Sequence, residues 1–163
     1  MSAAKRATGP VRRAIAAKSA RPRLHLEVQD RGRPRTDRIF LRRVVRAVLA
    51  HGKRLDLKVS LLLTNDAEIA RLHDDFLGDP TATDVISFDL DGTAEIVVSV
   101  ETAKRTAKSQ GHTTRAEVAL YVVHGILHVC GFDDIAPRDR LRMRAAERAV
   151  MQQLGLVVGA VDA

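Results

Sequence analysis

The chain has 163 residues, 45% of them hydrophobic and 29% charged, with one Cys, one Tyr, four Phe and no Trp. That length suits a single globular domain with its own core, and a single thiol excludes an intramolecular disulfide and hence a Cys-framework scaffold. The longest apolar stretch, Val118 to Cys130, is interrupted by His124, Gly125 and His128 and falls short of the roughly 20 residues of a spanning helix.

The formal charge of +7 belongs to residues 1–23, which hold Lys5, Arg6, Arg12, Arg13, Lys18, Arg21 and Arg23 and no acid. This stretch, rich in Ala, Arg and Ser, reads as a disordered basic tail. A solvated tail, a supplement to RNA or ribosome binding, and an organelle transit peptide are the readings open to it. Arg outnumbers Lys 21 to 6 along the whole chain, so the tail's arginines match the general composition, which favours a cytoplasmic protein over an organellar one. Residues 24–163 are electrically balanced overall but locally polarised. Basic blocks run from Arg31 to Arg46 and from Arg138 to Arg148, and ten acids with one base lie between Asp66 and Glu101. Two such basic blocks are placed to flank a site for a polyanion.

Beyond the tail, Leu24 to Val28 alternates apolar and polar residues, the period of a strand. Thr36 or Asp37 caps a helix to about Ala50, with Ile39, Phe40, Val44, Val45, Val48 and Leu49 on one broad face and Gly52 at its end. Leu57 to Leu63 reads as a buried strand. Asn65 caps a helix through Phe76, with Ile69, Leu72 and Phe76 at helical spacing, and Gly78 to Thr81 is a turn. Strands over Val85–Phe88 and Glu95–Val100 are joined by an Asp91-Gly92 turn. Helices follow over Glu101–Gln110, Thr114–Val129 and Arg138–Leu154, the last led by Pro137. The pattern predicts an α+β fold, a small mixed four-stranded sheet covered by about five helices. The helix over 114–129 is apolar on nearly all sides and belongs at the centre.

That central helix carries His124 and His128 at i and i+4, within about 40° of each other around the axis and one turn apart. Two imidazoles so placed can share one metal ion. Gly131 can take a positive φ and fold the chain back, and Asp134 then arrives as a carboxylate suited to be a third zinc ligand. Asp133 is the adjacent alternative. Three protein ligands leave a fourth position for water or substrate, the pattern of a catalytic site. Cys130 lies about 200° around the helix from His128 and reads as a small buried hydrophobe. The spacing is also that of the metzincin proteases, H-E-x-x-H-x-x-G-x-x-H, but Gly125 stands where their general base Glu would be, so peptide hydrolysis lacks its proton carrier.

With Gly at that place, the run His124-Gly125-Ile126-Leu127-His128-Val129-Cys130-Gly131-Phe132-Asp133 resembles the YbeY family of single-domain metal-dependent endoribonucleases, whose signature reads H-G-x-L-H-x-x-G-[YF]-D-H. Thr83-Asp84-Val85-Ile86-Ser87-Phe88 is similar to the family's T-D-V-L-S-F strand. Leu63-Thr64-Asn65-Asp66 with Ile69, Leu72 and Phe76 is similar to the helix before it, and Glu95-Ile96-Val97-Val98-Ser99 with Glu101 and Ala103 to its G-D-I-x-I-x-x-E-x-A segment. The resemblance spans roughly residues 24–156 in the family's order.

It implies that residues 24–163 form one metallohydrolase-like domain. That domain would be an endoribonuclease acting on single-stranded RNA in small-subunit rRNA maturation and ribosome quality control. Its cofactor would be one divalent metal ion, zinc, and its partners RNA and the small ribosomal subunit, with no membrane and no disulfide-linked partner. The family's third metal histidine falls on Asp134, which makes the ligand set His124, His128 and Asp134. The family's Arg after the aromatic of the preceding helix falls on Leu77; Arg71 or the Arg138–Arg148 helix are candidates to supply a basic group in its place. Few aromatics point to recognition through backbone charge. A metzincin-like metalloprotease and a non-catalytic ribosome-associated module are the rival readings.

Overall fold

The computed structural model describes residues 22–159, so the tail expected over 1–23 lies, but for its last two residues, outside them. Four strands form one mixed sheet: β1 (His25–Asp30), β2 (Lys58–Thr64), β3 (Val85–Leu90) and β4 (Thr93–Ser99). Their order is β1-β2-β4-β3, with β1, β2 and β4 parallel and β3 antiparallel to β4 at the edge. Five helices join and cover them: α1 (Arg38–His51), α2 (Asp66–Leu77), α3 (Val100–Gln110), α4 (Thr114–Val129) and α5 (Pro137–Gln153). This is the α+β architecture expected. None of these helices is long and apolar enough to cross a membrane.

The strand alternation sorts the core into two layers. Val59, Leu61 and Leu63 of β2 and Ala94, Ile96 and Val98 of β4 face the main core with α1 and α4. Leu62, Ile86 and Val97 point the other way and form a smaller cluster under Ile69 and Leu72 of α2. α4 packs against α1, α3, α5, β3 and β4, and ten of its sixteen residues are buried, as its all-round apolar sequence requires. Gly125 marks its closest approach to the sheet. A Cβ there would lie 3.1 Å from methyl groups of both Ile96 and Val85. The glycine that removes a protease base therefore has a packing reason of its own.

Asp37 and Asn65 cap their helices as expected, and Ser99 and Thr113 do the same for α3 and α4. The side chains of Asp37, Asn65, Ser99 and Thr113 each accept a hydrogen bond from a first-turn backbone N–H. Gly52 caps α1 as expected, but the left-handed residue is the next one. Gly52 has an ordinary φ of −76°, and Lys53 takes the left-handed conformation at φ 56°. Gly52 is needed for space instead: a Cβ there would come within 2.6 Å of the Cys130 sulfur.

Two apolar residues assigned to buried faces are exposed. Ile39, in the first turn of α1, is 78% accessible, and Phe76 is 65% accessible with its ring against Phe88 at 5.2 Å. Both sit at helix termini that overhang the layers they belong to. Helical spacing places such residues on the correct face but does not show how far the opposite layer extends.

Candidate metal centre

The last turn of α4 places the two histidines. Their faces turn out of the core at the end of the helix, where His124 and His128 side chains are 26% and 30% accessible. Beyond them the chain reverses in a Schellman motif. Phe132 N–H donates to Leu127 O, Gly131 N–H donates to His128 O, and Gly131 sits at φ 100°. Phe132 packs back on the core, which aims the following residues at the histidines. The two aspartates then part company. Asp133 turns its carboxylate onto the backbone N–H groups of Asp134 and Ile135, at 2.7 and 3.4 Å, and so shapes the loop. Asp134 reaches inward.

His124 Nε2 and His128 Nε2 lie 3.0 Å apart, and Asp134 Oδ2 is 3.5 Å from each. These three residues are the one such group of potential metal ligands among the described residues. Ligand atoms about 2.0–2.1 Å from a tetrahedral ion stand roughly 3.3 Å from one another, so a triangle with these edges closes around one ion with little adjustment. The donor chemistry agrees, since imidazole nitrogen with a carboxylate oxygen is a normal zinc set.

One member of the arrangement was not anticipated. Glu147 on α5 holds Oε1 2.5 Å from His124 Nδ1. The carboxylate accepts the Nδ1 proton, which fixes the tautomer and leaves Nε2 as a lone pair turned toward His128 and Asp134. Burial works against protonation of His124, but the Glu147 hydrogen bond and charge outweigh it and raise the pKa above the ordinary value. In the sequence Glu147 is one of two acids, with Asp139, inside the Arg138–Arg148 block. Its distance from His124 was not legible, because it depends on how α5 crosses α4.

Two clefts meet at this cluster. The larger, about 580 Å³, takes in His124, Asp134 and Glu147 together with Arg140 and Arg144 of α5 and Thr83 and Asp84 before β3. Deeper in it, burial pushes the Tyr121 phenol far above its usual pKa, so it stays a neutral hydroxyl. Glu117 is buried there and bonded to His112, whose Nδ1 accepts the Gly159 N–H at 2.8 Å. The smaller cleft, about 410 Å³, lies along β3 and includes His73, Leu77, Asp84, Asp89 and both histidines. Leu77 thus borders the cluster as an exposed apolar group. Arg71 is paired with Glu68 at 3.8 Å and belongs to neither cleft, whereas the Arg138–Arg148 helix does contribute. Cys130 packs on Gly52, away from the ligand cluster, and burial raises its thiol pKa.

The family model for the endoribonuclease YbeY matches residues 28–155. The chain belongs to the YbeY endoribonuclease family. A YbeY endoribonuclease of Heliobacterium modesticaldum is 37% identical over 119 residues, which cover 62% of this chain and 72% of the relative. That of Solibacter usitatus is 36% identical over 132 residues, covering 80% and 84%, and that of Chloroflexus aggregans 36% over 136 residues, covering 74% and 89%. The solution structure of TM1509 from Thermotoga maritima shares the fold, with a TM-score of 0.57 at 23% identity over 78% of this chain and 90% of that one. Among YbeY relatives of this kind, the resemblance read from the motif around His124 and from the T-D-V strand is therefore genuine kinship.

Proposed function

We propose that this protein is a metal-dependent endoribonuclease that cuts single-stranded RNA in small-subunit rRNA maturation and ribosome quality control. It would act in the cytoplasm, with zinc held by His124, His128 and Asp134. The observation that carries the reading is the convergence of two Nε2 atoms and one carboxylate oxygen within 3.5 Å of one another, in the wall of a cleft that also holds two arginines, in a chain of the YbeY family. A divalent ion in that position supplies Lewis acidity toward a phosphoryl oxygen or a water molecule.

The chain's own residues prepare the site for this. Glu147 keeps the His124 proton on Nδ1 and so presents Nε2 as a ligand. The Schellman reversal and the Asp133 turn hold Asp134 opposite the histidines. The wall of the larger cleft places hydroxyls, carboxylates and two guanidinium groups beside apolar surface from Leu120 and Met143, a lining able to engage a polar, charged substrate. Gly125 faces Ile96 and Val85 in the sheet, so α4 offers no group at that position to protonate a leaving amine. This counts against peptide hydrolysis.

The test is cleavage of single-stranded RNA by purified, zinc-loaded protein beside the His124→Ala/His128→Ala double variant. Loss of cleavage in the variant supports the reading, and equal cleavage by both overturns it. Metal binding and RNA affinity without any turnover would select the non-catalytic ribosome-associated module.

A further inference from the structure

The two clefts that meet at His124 differ in where their basic groups lie. Arg140 and Arg144 stand in the wall of the larger, while the smaller holds Asp84 and Asp89 and no Lys or Arg. The larger cleft also holds four acids, three of them held beside histidines and the fourth, Asp84, shared with the smaller cleft. Glu147 is on His124, Glu117 on His112, Asp134 beside both metal-site histidines, and Asp84 on the Thr83 hydroxyl and the Val85 N–H. The basic groups that a polyanion can meet beside the cluster therefore lie on the α5 side, and the β3 side offers no Lys or Arg.

Helix geometry puts the two arginines in register with the site. The Glu147–His124 bond fixes which face of α5 turns to the cluster. Arg144 and Arg140 precede Glu147 by three and seven residues, so they share that face, about 4.5 and 10.5 Å back along the axis. Arg140 Nη2 donates to the Ile135 carbonyl at 3.2 Å, which ties this guanidinium to the loop that carries Asp134. A guanidinium has five N–H donors in a planar fork, so the remainder can engage phosphate oxygens.

We propose that Arg140 and Arg144 bind the sugar-phosphate backbone of the substrate strand next to the phosphate held at the cluster, so that the strand runs along α5 and not along β3. The proposal rests on the endoribonuclease reading and gives it a direction and two substrate-binding residues.

The probe is a fluorescein-labelled single-stranded RNA. Its binding is followed by anisotropy against salt concentration in the presence of a chelator, with cleavage by the zinc-loaded protein measured in parallel. Each phosphate contact on a single strand contributes about 0.7 to the slope of log K against log salt, so Arg140→Gln/Arg144→Gln should lower the slope by about 1.4. KM should rise about tenfold or more, with kcat changing less than about threefold. Arg138→Gln/Arg142→Gln removes the same charge from positions about 160° around the helix and should change the slope by less than about half as much. Arg140→Lys/Arg144→Lys keeps the charge and should keep the slope; it also reads the contact if the Gln pair unsettles α5. An unchanged slope and KM in the Gln pair, or equal losses in the two Gln pairs, overturns the proposal while wild-type cleavage leaves the endoribonuclease reading standing. Wild-type protein that neither binds nor cuts RNA overturns both.

Discussion

Replacing Glu147 by Gln isolates what a charge behind a proposed metal ligand contributes. The Glu147 carboxylate lies 2.5 Å from His124 Nδ1, mostly shielded from solvent at 16% accessibility. Gln has nearly the same shape and still offers a carbonyl oxygen to the Nδ1 proton, so the ring orientation survives. The negative charge, which makes the imidazole a stronger base, is lost. A hydrogen bond to a charged partner is worth about 1.5–3 kcal/mol against about 1 kcal/mol for a neutral pair, a difference of about 1–2 kcal/mol. That corresponds to zinc affinity about 5- to 30-fold weaker, in the lower part of the range seen when such supporting groups are changed. Glu147→Ala removes the acceptor as well, frees the ring to turn, and should weaken zinc binding by about 100-fold or more. The assay is titration of the apoprotein with zinc in competition with a chromophoric chelator at neutral pH, with thermal melting to confirm folding. Arg148→Gln, on the same helix but outside the clefts, is the control. Wild-type zinc affinity in both Glu147 variants would refute the reasoning, because the Nδ1 contact would then have no bearing on the ligand it orients.

Other substitutions test neighbouring parts of the structure. Asp134→Ala should lower metal content measured by elemental analysis about tenfold or more, and Asp134→His should retain it; unchanged content in the Ala variant would remove Asp134 from the site. Gly125→Glu restores the residue type of a metzincin base but buries a carboxylate against Ile96 and Val85, so it should cost about 3–5 kcal/mol and lower the melting temperature by about 10 °C or more, with no peptidase activity gained. Partial burial disfavours the Asp66 carboxylate, yet Arg105, Ser99 and Thr102 overcome this and hold its pKa at about 2. This depressed value stabilises the fold above the unfolded pKa of about 4 and the benefit disappears as pH falls through about 2; with allowance for solvent screening, Asp66→Asn should cost about 1–2 kcal/mol at neutral pH and little at pH 2, as read from denaturant melts. Deleting residues 1–23 removes seven bases and no acid, and should leave a balanced domain that binds zinc as the full chain does; loss of zinc by the shortened protein would contradict this.

Much of the fold was legible because it is local. Side-chain oxygens at Asp37 and Asn65 cap helices through the N–H groups two or three residues ahead, a relation written within four residues of sequence. The alternation in β2 and the unbroken apolar surface of α4 likewise follow from the repeat of strand and helix, and they named the buried layer and the central helix. The histidine pair was readable for the same reason, since i and i+4 share a helical face whatever surrounds the helix. Gly131 signalled the reversal that brings an aspartate back to that face.

What the sequence left open depended on distances between elements. Spacing pointed to Asp134 without excluding Asp133, and only the folded loop shows one carboxylate turned onto backbone N–H groups while the other reaches the histidines. Gly52 read as a helix terminator, but its requirement comes from the Cys130 sulfur on a different helix. Glu147, Arg140 and Arg144 were a charge pattern until the crossing of α5 over α4 placed one against His124 and the others in the cleft wall. The starting charge of +7 told still less about the site, because it resides in the first 23 residues, whereas the charges around the site are acids and arginines from the electrically balanced remainder. Periodicity fixes which face of an element a residue occupies; the packing of one element on another determines what that face meets.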